Sequence, residues 1–261
     1  RYAIADLPDF VRPGGALDEE ARRRGQTLYL PDATVPLHPP AVSEDRASLL
    51  PAVDRAAYVW TIALDADAEV REARVERARI RSRERWDYAS AQAAHDAGRD
   101  PRLADLADFA GLRIERERSR GGASLAMPDE EIIRLPDDGY RIERRFPLPI
   151  EAWNAQLSLL TGMAAARIML DGGVGVLRTM PPPDEESLRM FRERVRALGR
   201  PWDPGTGYGD YLRALEPGNS AAIPVLQAAA SLFRGADYAT FDGAPPEQTE
   251  QAAIAAPYAH V

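Results

Sequence analysis

The sequence predicts an α+β fold, a mixed or antiparallel sheet surrounded by helices, and three observations carry that expectation. The stretch Ala56–Leu64 is rich in strand formers (Tyr58, Val59, Trp60, Thr61, Ile62), and Asp65-Ala66-Asp67-Ala68 then turns the chain into a second arm from Glu69, which predicts a hairpin. A second strand pair is expected over Glu131–Phe146, with Asp137-Asp138-Gly139 as its turn. Between 150 and 170, Ile150, Trp153, Leu157, Leu160, Ala164 and Ile168 recur at helical spacing, so a long helix with one buried face follows, closed by Gly172-Gly173.

The remaining elements fit around these. Tyr2–Asp6 and Phe10-Val11 are short strand candidates, and Pro13-Gly14-Gly15 forces a turn. A helix then opens on Asp18, Glu19 and Glu20 and ends at Arg22–Arg24 and Gly25, each charge sitting where the helix dipole favours it. Five prolines between Pro31 and Pro51 argue for an ordered loop without regular structure. Helices are expected from Asp87 through His95 and over Pro101–Arg118, paired as a helical hairpin that stops at Gly121-Gly122. Beyond the long helix come a strand at Val174–Leu177 and an amphipathic helix with Leu188, Phe191, Val195 and Leu198 on one side and Gly199 as its stop. Helices at Tyr208–Leu215 and Ala221–Phe233 and a strand at Tyr238–Phe241 complete the chain, with no repeat period and no dividing linker.

Composition bounds function loosely. The 261 residues suffice for one large domain, or two small ones, with a substantial core, and 45% hydrophobic with 28% charged residues is ordinary for a globular protein. A net charge of −8 weighs against a nucleic-acid binder, yet all 33 basic residues are Arg, so each fixed positive charge is a planar fork suited to phosphate or carboxylate. The absence of Cys excludes disulfides, thiolate metal sites and a cysteine nucleophile, and fits an intracellular setting. No apolar run reaches the length of a membrane span, and the segment 221–233 is broken by Pro224 and Gln227.

Generic site motifs mostly fail. Asp171-Gly172-Gly173-Val174-Gly175 follows a helix and lacks the Lys and Ser/Thr of a phosphate loop, so it reads as a helix cap. His38, His95 and His260 are scattered without metal-ligand spacing. Asp65 and Asp67 suit a hairpin turn, and Asp105 and Asp108 a solvated helix face. In the arm after Glu69, Arg71, Arg77, Arg79, Arg81, Arg83 and Arg85 share one parity. An extended strand would put them on one face, either as a charged edge that discourages aggregation or as a stripe facing phosphates.

An ordered series of short motifs is more specific than any of these. Ile4-Ala5-Asp6 opens it, followed by Leu17-Asp18 with Ala21 and Arg24, Tyr29-Leu30-Pro31-Asp32, and Ser48-Leu49. Arg81-Ser82-Arg83-Glu84-Arg85-Trp86-Asp87-Tyr88 comes next, then Arg120-Gly121-Gly122-Ala123-Ser124-Leu125, the helix from Ile150, Arg178 with Pro181–Asp184, and Tyr258-Ala259-His260-Val261. In order and over essentially the whole chain, this resembles the catalytic domain of the ribonuclease II (RNB) family of 3′-to-5′ exoribonucleases. On that resemblance residues 1–261 form a single domain, incomplete at both ends, without the family's N-terminal aspartate cluster and cut before the arginine of its C-terminal motif.

The resemblance implies hydrolysis of single-stranded RNA from its 3′ end, with release of nucleoside 5′-monophosphates, by an enzyme that acts as a cytoplasmic monomer away from membranes. It implies Mg²⁺, two ions about 4 Å apart activating water and stabilising the leaving oxygen. Tyr29 matches the family's active-site Tyr, a catalytic residue that contacts RNA at the scissile end. Tyr88 matches an aromatic that stacks on the terminal base, and Arg85 lies in the same segment as a further RNA contact. Read without the resemblance, either Tyr is a core residue with a satisfied hydroxyl. Leu125 stands where the family has a stacking Phe, which weakens the clamp on the last base. Gln156 stands where the family has a Glu and can neither act as a base nor carry a negative charge toward a metal, and Glu151 faces the wrong way to replace it. The segment alone is expected to be inactive, its metal ligands unknown. The alternative is a catalytically weak or inactive RNB-like module that binds RNA.

Overall fold

In the computed structural model, which describes residues 1–30, 33–123, 125, 127–136, 139–215 and 219–261, contacts gather into two compact units, each assembled from separate stretches of chain. The first comprises Arg1–Ala63, Glu72–Asp87 and Glu130–Glu143, and the second Leu64–Arg71, Tyr88–Asp129 and Arg144–Val261.

The first unit is built on a sheet. β1 (Tyr2–Ala5) pairs antiparallel with the long β4 (Asp54–Leu64) in the register Tyr2↔Trp60 to Ala5↔Ala57. β5 (Val70–Arg81) returns along β4 as the predicted hairpin, giving the order β1-β4-β5 and leaving β5 at an edge. Ala57 and Trp60 of β4 are buried. Phe10-Val11 is not a strand. Pro8 helps to start a single 3₁₀ turn at Leu7–Asp9, and the amides of Phe10 and Val11 both donate to the Leu7 carbonyl. α1 (Ala16–Arg24) begins and ends as its charges require, with Gly25 at φ 74° as its stop.

The proline-rich stretch holds more regular structure than its composition suggests. β2 (Leu28–Tyr29) and β3 (Thr34–Val35) form a small antiparallel ladder, and Ala41–Arg46 is a short π-helix, closed by Ala47 N–H donating to the Val42 carbonyl at 2.9 Å. The prolines sit before that turn, at 36, 39 and 40, so none interrupts it. Pro31 and Asp32 of the expected motif lie outside the described residues. β6 (Asp129–Arg134) and β7 (Tyr140–Arg145) form the second expected hairpin; its turn residues Asp137 and Asp138 are likewise outside them.

The second unit is mainly helical. α2 (Tyr88–Asp96) and α3 (Pro101–Ser119) form the expected helical hairpin, and both pack on α4 (Pro149–Gly172). α4 buries Ile150, Gln156, Leu160, Thr161 and Ala164–Ala166, and ends at Gly173 with φ 69°. Ile168, expected on the buried face, is exposed. β8 (Val174–Thr179) and β9 (Asp237–Asp242) pair antiparallel from Val174↔Asp242 to Thr179↔Asp237, and β8 packs beside α4. β10 (Glu250–Gln251) and β11 (Ala256–Pro257) are a further short pair. A core forms around Phe191 and Val195 of α5 (Glu185–Ala197), Trp202, Leu212 of α6 (Tyr208–Arg213), and Val225, Ala228 and Ala229 of α7 (Ile223–Ala229). Among the described residues no helix is long and apolar enough to cross a membrane.

Candidate RNA-binding site

Tyr29 lies at the end of β2, opposite Thr34, where two-residue strands leave no room to bury a side chain; it is 82% exposed. An exposed Tyr on a short ladder flanked by exposed Leu28 and Leu30 is not a core residue, and its ring is open to a stacking partner. Also in the first unit, Arg85 lines a cleft of about 640 Å³ with Ser43, Glu44, Ser48, Leu49, Leu50 and Pro51. The cleft is held by Ala52 N–H donating to the Ser82 carbonyl (2.8 Å) and by Arg55, whose Nε donates to the Ser48 carbonyl (3.1 Å). Two motifs far apart in sequence, Ser48-Leu49 and the segment ending in Arg85, therefore meet at one surface.

The arginine stripe of β5 is largely occupied. Arg77 Nε donates to the buried Asp6 at 2.6 Å and its guanidinium lies over the Tyr58 ring at 5.5 Å, while Arg81 Nε donates to Asp54 at 2.6 Å. Bonding to Arg81 holds the Asp54 carboxyl below its usual range. These contacts make β5 a charge-paired edge strand.

In the second unit Tyr88 opens α2, is 45% exposed, and accepts a hydrogen bond from Asn154 Nδ2 of α4 at 3.1 Å. One face of α4 thus fixes the phenol end while the ring stays accessible. Gln156 lies two residues on, buried, and donates through Nε2 to Oε2 of the buried Glu117 on α3 at 3.4 Å. An amide can donate to that carboxylate; a second carboxylate there could not without a proton. Glu151 caps α4: its Oε1 accepts from Leu148 N–H (2.8 Å), and it pairs with Arg145, whose hydrogen bond holds the carboxyl below the ordinary glutamate range. It is thereby committed to the helix start. Leu125 packs against the core formed by α5, α6 and α7, and Ser124 beside it lies outside the described residues.

The three histidines stay apart in role. His95 stacks edge-on against Trp153 with centroids 4.6 Å apart, His260 Nδ1 and the Tyr238 hydroxyl are 2.7 Å apart, and His38 sits by α1. Among the described residues no three His, Asp or Glu side chains converge as metal ligands. Sequence reasoning missed the pair Glu117 and Arg113, both buried on α3. Their signal was available: with Ala110 they fall at helical spacing on one stripe, charges where an apolar face is expected.

Comparison with known proteins places this geometry. The family model described as RNB domain matches residues 2–231. Ribonuclease R of Chlamydia muridarum is 26% identical over 204 residues, which cover 75% of this chain and 29% of that protein. The exosome complex exonuclease dis3 of Schizosaccharomyces pombe is 31% identical over 205 residues, covering 74% of the chain and 21% of its relative. The chain thus spans less than a third of the length of these relatives. Among solved structures, Mycoplasma genitalium RNase R in complex with ribose-methylated single-stranded RNA superposes with a TM-score of 0.83 at 21% identity, covering 99% of this chain and 42% of that one. Yeast Ssd1, a pseudonuclease, superposes with a TM-score of 0.74 at 17% identity, covering 99% of this chain and 33% of Ssd1. The fold is that of RNase R, the family model spans the chain from β1 through α7, and the chain belongs to the RNB-domain family.

Proposed function

We propose that this chain is the RNA-gripping part of an exoribonuclease that shortens single-stranded RNA from its 3′ end and releases nucleoside 5′-monophosphates. The observation that carries the reading is the RNB family match over residues 2–231. Its relatives are named as ribonucleases, and one structural neighbour holds single-stranded RNA.

In this reading the chain's own residues hold the strand. Tyr29 and Tyr88 offer exposed rings to bases, a contact worth about 1–3 kcal/mol per base that is indifferent to sequence. Arg85 offers a fork to a backbone phosphate, and Asn154 orients Tyr88 through its hydroxyl. Leu125, engaged with the core, adds apolar support without a stacking face. The family resemblance implies Mg²⁺, but the described residues do not build a site for it, and Gln156 brings no charge where the family carries a carboxylate.

A second reading, an RNA-binding RNB module that does not cleave, is favoured specifically by Gln156 and by the likeness in fold to the pseudonuclease Ssd1. One experiment separates the two. The protein at its full natural length is incubated with 5′-labelled single-stranded RNA, with Mg²⁺ or with EDTA. A ladder shortening from the 3′ end only in Mg²⁺, with mononucleotide release, is the expected outcome. Retention of RNA without shortening would establish the binding module instead.

A further inference from the structure

Arg113, Glu117 and Gln156 form a buried polar strip where α3 packs on α4, within the second unit. Arg113 and Glu117 lie one turn apart on α3. Burial lowers the Arg113 pKa, and the Glu117 carboxylate works against that. Arg113 is tied down further by Nη1 donating to the Ala68 carbonyl at 2.8 Å and by Nη2 at 3.2 Å from Met163 Sδ. Glu117 is fixed by the turn after α3. Gly122 N–H donates to the Glu117 carbonyl at 2.9 Å, and a Cβ on Gly122 would lie 2.6 Å from Glu117 Cγ, so the missing side chain gives Glu117 its room.

The Glu117 carboxylate in turn decides how Gln156 is oriented. The two ends of a carboxamide are nearly equal in shape and opposite in chemistry, one donating and one accepting. An ionised carboxylate only accepts, so Nε2 turns toward Glu117 Oε2 at 3.4 Å and Oε1 turns away; the flipped amide would set its oxygen against the carboxylate. Oε1 accepts no hydrogen bond among the described residues, yet it is not one of their sealed, partnerless atoms, so it reaches solvent. The strip thus yields a neutral acceptor with one orientation, at the position where the family resemblance places a Glu.

We propose that Glu117 is a positioning residue of the RNA site, holding the Gln156 carboxamide so that Oε1 receives a donor from the strand. Glu117 itself, 4% exposed, makes no contact with RNA and acts only through Gln156. The inference rests on the reading of this chain as an RNA grip and requires neither Mg²⁺ nor cleavage.

The test is titration of the full-length protein with fluorescent single-stranded RNA in EDTA, with the fold followed by circular dichroism and thermal melting. Glu117→Gln puts an amide at 117 that can donate or accept, so either flip of Gln156 is satisfied and its orientation is lost. Affinity should fall about three- to tenfold, the worth of one misplaced hydrogen bond, and the salt slope should stay unchanged because no phosphate contact is removed. Gln156→Glu sets two carboxylates together and should weaken both folding and binding. The double variant Glu117→Gln/Gln156→Glu keeps one buried carboxylate beside Arg113, re-forms the bond in the opposite sense and leaves one oxygen at 156 facing outward. Its affinity should return to within about twofold of wild type.

A pair that is merely structural predicts otherwise. The single variants would then lose melting temperature while the folded protein bound RNA as wild type does, and that result overturns the proposal. A double variant as weak as Glu117→Gln overturns it as well. Failure of the wild type to bind RNA removes the RNA-grip reading and the proposal with it, whereas wild-type affinity that Glu117→Gln leaves untouched removes the proposal alone.

Discussion

At Gly162 only a hydrogen fits between α4 and the chain's last residues. A Cβ there would lie 2.1 Å from Cε2 of the Tyr258 ring and 2.7 Å from the Ala259 carbonyl oxygen, and Ala259 N–H donates to the Gly162 carbonyl at 3.1 Å. Tyr258 in turn meets His260 edge-on at 5.4 Å, so neither the backbone nor the ring can retreat without breaking a contact. Gly162→Ala should therefore destabilise the protein by about 1–3 kcal/mol, the usual cost of overpacking. Gly111, inside α3 with open space around its would-be Cβ, is the control: Gly111→Ala should stabilise by about 0.5–1 kcal/mol. Urea unfolding checks both, with the midpoint moving in opposite directions and the slope unchanged. None of this was legible in the sequence, where Gly162 is one small residue on a helix and the Tyr258 motif lies almost a hundred residues away. Gln156 differs. Its departure from the family pattern was visible from the residue alone, whereas its partner Glu117 needed the packing of α3 on α4.

Elements were legible where periodicity or punctuation was strong. The β4–β5 hairpin and α4 announce themselves by strand formers and by a helical repeat, and Gly25 and Gly173 sit at positive φ where helices end. The turn at Leu7–Asp9 and the π-helix at Ala41–Arg46 were hidden, because each is shorter than any repeat that could reveal it. The parity of the arginines on β5 was legible as well, but their partners Asp6 and Asp54 arrive from outside that strand. At the start of α4, Glu151 gives a prediction with a pH signature. Arg145 and the Leu148 amide favour its charged form, so its folded pKa lies below the unfolded one. The contribution to stability is then complete above the unfolded value of about 4.3 and is lost as pH falls through the lower folded value. Glu151→Gln keeps a side-chain oxygen for the Leu148 amide but loses the charge that pairs with Arg145 and favours the helix start, so it should cost about 0.5–1 kcal/mol at pH 7, and the two proteins should converge in stability near the acid end. Thermal melts from pH 7 down to pH 3 measure the difference; a gap that widened on acidification would contradict the assigned role.

For the molecule as a whole, the tension is between a net charge of −8 and a proposed polyanionic ligand. Many of the arginines are already paired within the protein, as on β5, so RNA binding cannot rest on a general basic surface. It must come from a few uncommitted forks together with stacking, and these two contributions respond differently to salt. Each phosphate neutralised on a single strand adds about −0.7 to the slope of log K against log salt, whereas stacking adds almost nothing. With only a few arginines engaged, the slope for the full-length protein on single-stranded RNA should be shallow, about −2 to −3. Tyr29→Ala and Tyr88→Ala should each lower affinity by about 1–3 kcal/mol while leaving the slope in place. Arg85→Gln should make the slope shallower by about 0.7 and weaken binding alike for every sequence. Fluorescence anisotropy across a salt series, in EDTA so that the strand stays intact, reads both quantities at once. A slope that changed with the tyrosines and not with Arg85 would remove all three residues from the proposed RNA path, and affinity independent of salt would remove the phosphate contacts altogether.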